Sequence, residues 1–211
     1  MTQRDKDVEN KIPIYKLKTT DEVMKYYDEW SKENKYDKDM EDWNYTGPKE
    51  TSKIFNKYSS NKDIKIYDAG CGTGLVGVEL KKYGFSNFYG ADLSQKLLDL
   101  APKELYQTLD KVDLNKPINK NDNSYDAVIC VGTFTFGHVK PQALDEFIRI
   151  TKNKGLICFT INEGIYEKYG FDKKIKQLNN DNLWKEVEFF KSDYIASKDV
   201  NAWLGLYEVI K

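Results

Sequence analysis

The sequence predicts an α/β domain: a doubly wound, mostly parallel sheet of seven strands, closed by an antiparallel C-terminal hairpin and preceded by a helical segment. Three observations predict it. From residue 64 onward, apolar runs of strand length alternate with amphipathic stretches. A glycine-rich turn, "YDAGCGTG" at residues 67–74, follows the first of those runs, and the last two runs have no helix between them. Strands separated by helices need crossover connections and run parallel, whereas strands joined by a short turn run antiparallel.

Taken in order, residues 1–18 are polar and lysine-rich and read as a flexible N-terminal arm. Residues 19–60 read as a helical segment of the same domain, and residues 61–211 as its core. Thr19 and Glu22 have capping-box spacing ahead of Val23, Tyr27 and Trp30, which recur at helical intervals. A further helix starts after Gly47-Pro48 and carries Ile54, Phe55 and Tyr58. "IKIY" is a short buried strand, and "LVGVELKKY" a helix stopped by Gly84. "NFYGA" is the second strand, ending at Asp92; Ser94 caps the helix "QKLLDLA", which Pro102 closes. "LYQTLDKV" and "YDAVICV" are the third and fourth strands, Pro141 opens the helix "PQALDEFIRI", and "LICFTI" is the fifth strand. "WKEVEFF" and "AWLGLYEVI" form the closing hairpin.

At 211 residues and 40% apolar composition the chain suits one domain with a sizeable core. Its net charge of −1 supplies no basic field for nucleic acid. Only Arg4 and Arg149 could make forked contacts to guanine or phosphate, so no nucleic-acid partner is expected. The first twenty residues lack the apolar stretch of a signal peptide, and no run approaches the roughly 20 apolar residues of a membrane span. Cys71, Cys130 and Cys158 are odd in number and lack metal-type spacing. The expectation is a cytoplasmic protein with reduced cysteines, no metal and no membrane contact.

The glycines read in two registers. Gly70, Gly72 and Gly74 form Gly-x-Gly-x-Gly, while Gly72, Gly74 and Gly77 form the dinucleotide pattern Gly-x-Gly-x-x-Gly, with Asp92 20 residues after Gly72. Three points weigh against a nicotinamide dinucleotide. Asp68 at the rim of a pyrophosphate cradle would repel phosphate and suit a ligand bearing positive charge. About 120 residues follow Asp92, enough to complete one sheet but not to add a substrate domain. The chain also ends in a hairpin rather than a second βαβαβ half. A cationic nucleoside with an amino-acid tail fits better.

"IYDAGCGTG", "ADLS", "VDLNKP" and "SYDAVICVGTF", in that order, resemble the successive motifs of class I S-adenosylmethionine-dependent methyltransferases. The resemblance covers roughly residues 20–210. "GTGLVGVEL", "NSYDAVICVGTFTFGHV", "ALDEFIRI" and the upstream "YDEW…YDKDMEDWNYTGP" are similar, more narrowly, to the methyltransferase-like family of the Williams–Beuren syndrome region. The class I resemblance implies S-adenosylmethionine as cofactor, S-adenosylhomocysteine as product, and in-line transfer to an O, N or S nucleophile, while the narrower likeness gives architecture rather than a reaction. The lack of a basic patch or an RNA-binding module, with a compact lid, points to a small-molecule acceptor. A protein acceptor, and a cofactor-binding protein without turnover, remain open.

The resemblance places Gly70, Gly72 and Gly74 against the methionine part, with Asp68 near its charges. Asp92 can accept two hydrogen bonds from vicinal ribose hydroxyls, or can cap the helix at Ser94. Leu93 would lie on adenine, Asp113 would reach the adenine amino group with Leu114 beside the ring, or Asp113 would be a solvated loop residue. Val131, Thr133 and Phe134 follow the fourth strand, where the family flanks the sulfonium; Phe134 reads equally as core. Residues 19–60 would form a lid, with Tyr27, Tyr36 and Trp43 near the methionine end, where ring faces stabilise a cation by about 0.5–2 kcal/mol each. His138, the one histidine, is the candidate base or else a surface or capping residue. Related sequences often carry a second histidine where this chain has Phe136, so a scheme needing two imidazoles is not available.

Overall fold

A computed structural model describes residues 3–17 and 19–211. Four helices precede the sheet: α1 (Gln3–Lys11), α2 (Thr20–Trp30), α3 (Lys35–Asp42) and α4 (Gly47–Tyr58). The strands are β1 (Ile66–Ala69), β2 (Phe88–Asp92), β3 (Tyr106–Lys111), β4 (Tyr125–Phe134), β5 (Thr151–Asn162), β6 (Trp184–Ile195) and β7 (Val200–Val209). Helices α5 (Leu75–Lys82), α6 (Gln95–Leu100) and α7 (Ala143–Ile150) connect the parallel strands, and α8 (Phe171–Asn180) leads from β5 to β6.

The sheet order is β3-β2-β1-β4-β5-β7-β6. β3 to β5 pair in parallel, while β7 is antiparallel to both β5 and β6. Successive side chains of a strand face opposite sides, so β4 supplies Val128, Cys130 and Phe134 to one core and Ala127, Ile129 and Val131 to the other. The chain turns from one half of the sheet to the other between β1 and β4. Ligands bind at such a switch point, beyond the carboxyl ends of the strands.

Thr19 accepts the Glu22 amide and Glu22 returns to the Thr19 amide, the capping box expected for α2. Three helices were not legible. The segment expected as a flexible arm contains α1 and a 3-10 turn at Pro13–Lys16, and Val8, Ile12, Ile14 and Tyr15 are buried. Its apolar residues form a narrow stripe at 8, 12 and 15 that its lysines outnumber. α3 carries one buried residue, Met40, and α8 buries Phe171, Ile175 and Leu178 at the same i, i+4, i+7 spacing. Helix α4 departs from the expected lid: Phe55 packs against Phe85 on the opposite face of the sheet.

Candidate functional site

β1 runs two residues further than its apolar letters imply, so Asp68 is a strand residue paired in register with Gly90 and is 1% exposed. The glycine turn starts after Ala69. Gly70 and Cys71 both donate their amides to the Ala91 carbonyl, at 2.7 and 3.0 Å, which ties the turn to the end of β2. Gly70 has φ +79°, and a Cβ there would collide with the Thr133 side chain. Gly70→Ala is therefore expected to cost about 2 kcal/mol through overpacking and backbone strain, measured by urea unfolding. Gly72 differs: a Cβ would meet nothing nearer than Leu97 Cδ1 at 3.9 Å. Its bare backbone faces open space, as a ligand lying on the turn requires.

Asp92, at the end of β2, accepts the Gly72 amide at 2.9 Å on one carboxylate oxygen and the Ser94 amide at 2.8 Å on the other. Burial pushes its carboxyl upward, opposed by the backbone amides of Ser94, Gly72 and Leu93. Asp92 thus braces the turn and leads into α6, whose cap is Ser94: its hydroxyl accepts the Leu97 amide.

These groups open on a common cavity. Tyr27, Tyr36, Gly70, Gly72, Asp92 and Leu93 border it, together with Asp113, Leu114, Val131, Thr133 and His138. Four expected residues do not. Asp68 lies beneath the turn, with one oxygen accepting the Tyr106 hydroxyl at 2.7 Å and the other, Oδ1, unpartnered. Gly74 starts α5 in the left-handed region, its Cβ position facing Pro102 and Tyr106. Phe134 is fully buried among Phe147, Phe159 and Phe171, because strand alternation turns it away from Val131 and Thr133. Trp43 borders a neighbouring hollow instead. Asp113 keeps both of its readings: it borders the cavity and also pairs with Lys116 at 3.3 Å across a loop turn.

Helix α2 lays Thr20, Val23, Met24 and Tyr27 along the cavity. Of that i, i+3, i+4, i+7 stripe, Val23 and Tyr27 mark the helix in the sequence, while nothing there marks Thr20, Val23 or Met24 as lining a cavity. Leu97, Val112, Asn115 and Val139 complete the lining without a motif to mark them.

His138 Nδ1 lies 2.5 Å from the Phe136 carbonyl oxygen and Nε2 lies 2.9 Å from the Tyr27 hydroxyl. A carbonyl only accepts, so Nδ1 carries the proton and Nε2 accepts from Tyr27. Burial lowers the imidazole to about 4, against the raising effect of the Phe136 carbonyl. Burial, with Tyr36, the Asp92 carboxylate, Tyr194 and Tyr15 adding to it, holds the Tyr27 phenol well above its usual value. The pair is neutral at pH 7, with an unprotonated nitrogen behind a hydroxyl that faces the cavity.

Residues 67–159 match the family model described as a methyltransferase domain. Human methyltransferase-like protein 27 is 29% identical over 188 residues, covering 86% of this chain and 75% of that protein. An uncharacterised protein of Methanocaldococcus jannaschii is 32% identical over 190 residues, covering 83% and 78%. A ubiquinone biosynthesis O-methyltransferase of Rickettsia bellii is 32% identical over 114 residues, covering 52% of this chain and 47% of its own length. Among solved structures, the methyltransferase bound to the Haloferax volcanii Trm112 activator superposes with a TM-score of 0.64 at 18% identity, over 88% of this chain and 98% of that one. With the sheet order and the glycine turn, these likenesses define a Rossmann-like class I methyltransferase. The chain carries a methyltransferase domain and is a methyl-transferring enzyme.

Proposed function

We propose that the enzyme transfers a methyl group from S-adenosylmethionine to an O, N or S nucleophile on a small molecule. The observation that carries the donor is the open face of Gly72 beside the Asp92 carboxylate. The described lining contains Asp92 and Asp113 but no lysine or arginine. A pyrophosphate would meet carboxylates without a counterion there, whereas an ammonium and a sulfonium would be welcome. The unpartnered Asp68 oxygen beneath the turn adds to that preference.

In this assignment Asp92 holds the ribose hydroxyls, Leu93 and Leu114 the adenine, Asp113 its amino group, and Gly70, Gly72 and Thr133 the methionine part. Tyr27 and Tyr36 face the sulfonium. Bound there, S-adenosylmethionine supplies a methyl group on positively charged sulfur, which leaves as a neutral thioether keeping the electron pair of the broken bond. Tyr27 oxygen takes the acceptor's proton as its own passes to His138 Nε2. An imidazole of low basicity suffices, because the acceptor atom becomes far more acidic as the methyl arrives. Alignment of donor and acceptor supplies the larger part of the rate.

The near-neutral net charge and the named O-methyltransferase relative support a small-molecule acceptor. Within the family we place the chain beside the Williams–Beuren syndrome region methyltransferase-like proteins, on the motifs quoted above. Cys71, Cys130 and Cys158 are free and buried, which fits a reducing compartment such as the cytoplasm. Among the described residues no helix is long and apolar enough to cross a membrane.

Calorimetric titration with S-adenosylhomocysteine tests the donor site. Asp92→Ala is expected to weaken it at least tenfold, about 1.4 kcal/mol, and unchanged affinity would refute the assignment. Incubation with methyl-labelled S-adenosylmethionine and a small-molecule extract tests the acceptor. Label found only on protein would replace the small molecule with a protein acceptor.

A further inference from the structure

Gly132 borders the donor cavity and also a second hollow. The walls of this hollow are aromatic. Tyr27 and Trp30 of α2 stack at 6.0 Å, Tyr36 of α3 meets Trp30 edge-on at 5.0 Å, and Trp43 tilts against Trp30 at 5.5 Å. On the far side Tyr45 meets Tyr194 of β6 edge-on at 5.1 Å. Tyr27 and Tyr36 belong to both spaces, so the two are contiguous.

The polar groups of the hollow are hydroxyls. A Cβ on Gly132 would come within 2.7 Å of the Tyr45 hydroxyl oxygen and 3.6 Å of that of Tyr194, so both converge on the point where the spaces meet. The buried Thr135 hydroxyl has no hydrogen bond of normal geometry. The Trp30 indole N–H is committed to Asp39, at 2.6 Å. No acid, lysine, arginine or histidine is among the described residues that line it.

That composition selects its occupant by charge. A carboxylate or phosphate would be buried without a cation, which costs several kcal/mol. An ammonium would gain from the ring faces, but a protonated amine has no lone pair to receive a methyl group. Flat rings pack edge-on or offset against such walls. Building on the donor assignment above, we propose that this hollow is the acceptor site and takes a small, uncharged, ring-bearing molecule with an O–H or N–H nucleophile. The hydroxyls of Tyr45 and Tyr194 orient that nucleophile past Gly132 toward the donor.

Trp30 and Trp43 line the site, so their fluorescence reports occupancy without turnover. The full chain, saturated with S-adenosylhomocysteine, is titrated with phenol, benzoate and benzylammonium. Phenol is expected to bind at least tenfold more tightly than either charged probe. In the Tyr45→Phe/Tyr194→Phe protein, which keeps both rings, phenol should weaken about tenfold and S-adenosylhomocysteine by less than twofold. Charged probes binding as well as phenol, no probe binding, or phenol undisturbed in the double variant would overturn the acceptor site while the donor site stands. Failure of S-adenosylhomocysteine to bind would instead remove the donor assignment, and this inference with it.

Discussion

At pH 8 and without ligand, the Asp68→Asn protein is expected to be more stable than the wild type by roughly 4 kcal/mol. Asp68 is a buried carboxyl with one oxygen served by Tyr106 and the other by nothing. Burial pushes it up to about 7; the Tyr106 hydroxyl opposes this and Asp92 adds to it. Because the folded value exceeds the unfolded value of 3.8, the folded state holds the extra proton. The stability this brings is fully present below pH 3.8 and is lost as pH rises through 7. An amide resembles the protonated acid and carries no such loss. The variant's advantage in urea unfolding should thus be near zero at pH 4 and largest above pH 7. Equal midpoints at pH 8 would mean that the buried charge is not costly.

The same substitution should weaken S-adenosylmethionine more than S-adenosylhomocysteine, by about tenfold, since only the former carries the sulfonium that Asp68 attracts through the turn. The wild-type preference should rise between pH 6 and 8 as Asp68 ionises, and the variant should show no such rise.

Asp68 also marks where sequence reading stops. Its presence beside the glycines was legible and so was the inference of a cationic ligand. Its depth was not: the strand extends two residues beyond its apolar letters, and that shift moves the carboxyl from the rim to beneath the turn. Phe134 fails for the same reason, since period-two alternation sends it into the core while Val131 and Thr133 face the cavity. The Gly72–Asp92 spacing was readable because both lie in one βαβ unit at a fixed separation, but that the carboxylate takes the Gly72 amide was not. The strand and helix alternation was readable for the same local reason. The acceptor hollow was not, because Trp30, Tyr45 and Tyr194 meet only when the end of β6 folds back on the N-terminal helices. No spacing rule links residues 30 and 194.

His138 supplies the opposing titration. Its folded value of about 4 lies below the ordinary 6.5, so the unfolded state binds the extra proton between those limits. The stability it contributes is present above pH 6.5 and is lost as pH falls through 4, by at most about 3 kcal/mol. Asp68 acts over an overlapping range with the opposite slope. The wild type is therefore expected to have a shallow pH dependence between 4 and 7, because the two losses offset each other. Each variant should expose the other group. His138→Gln leaves Asp68 alone and should lose stability as pH rises, while Asp68→Asn leaves His138 alone and should gain it. Urea midpoints of the three proteins at half-unit intervals distinguish this from two inert groups, for which all three curves would run parallel. His138→Gln should also slow methyl transfer by ten- to a hundredfold at saturating donor, if Tyr27 passes its proton to Nε2. Donor affinity should change little, since Asp92 and the glycine turn are untouched. A rate equal to the wild type would show that the acceptor sheds its proton elsewhere and leave His138 with a packing role alone.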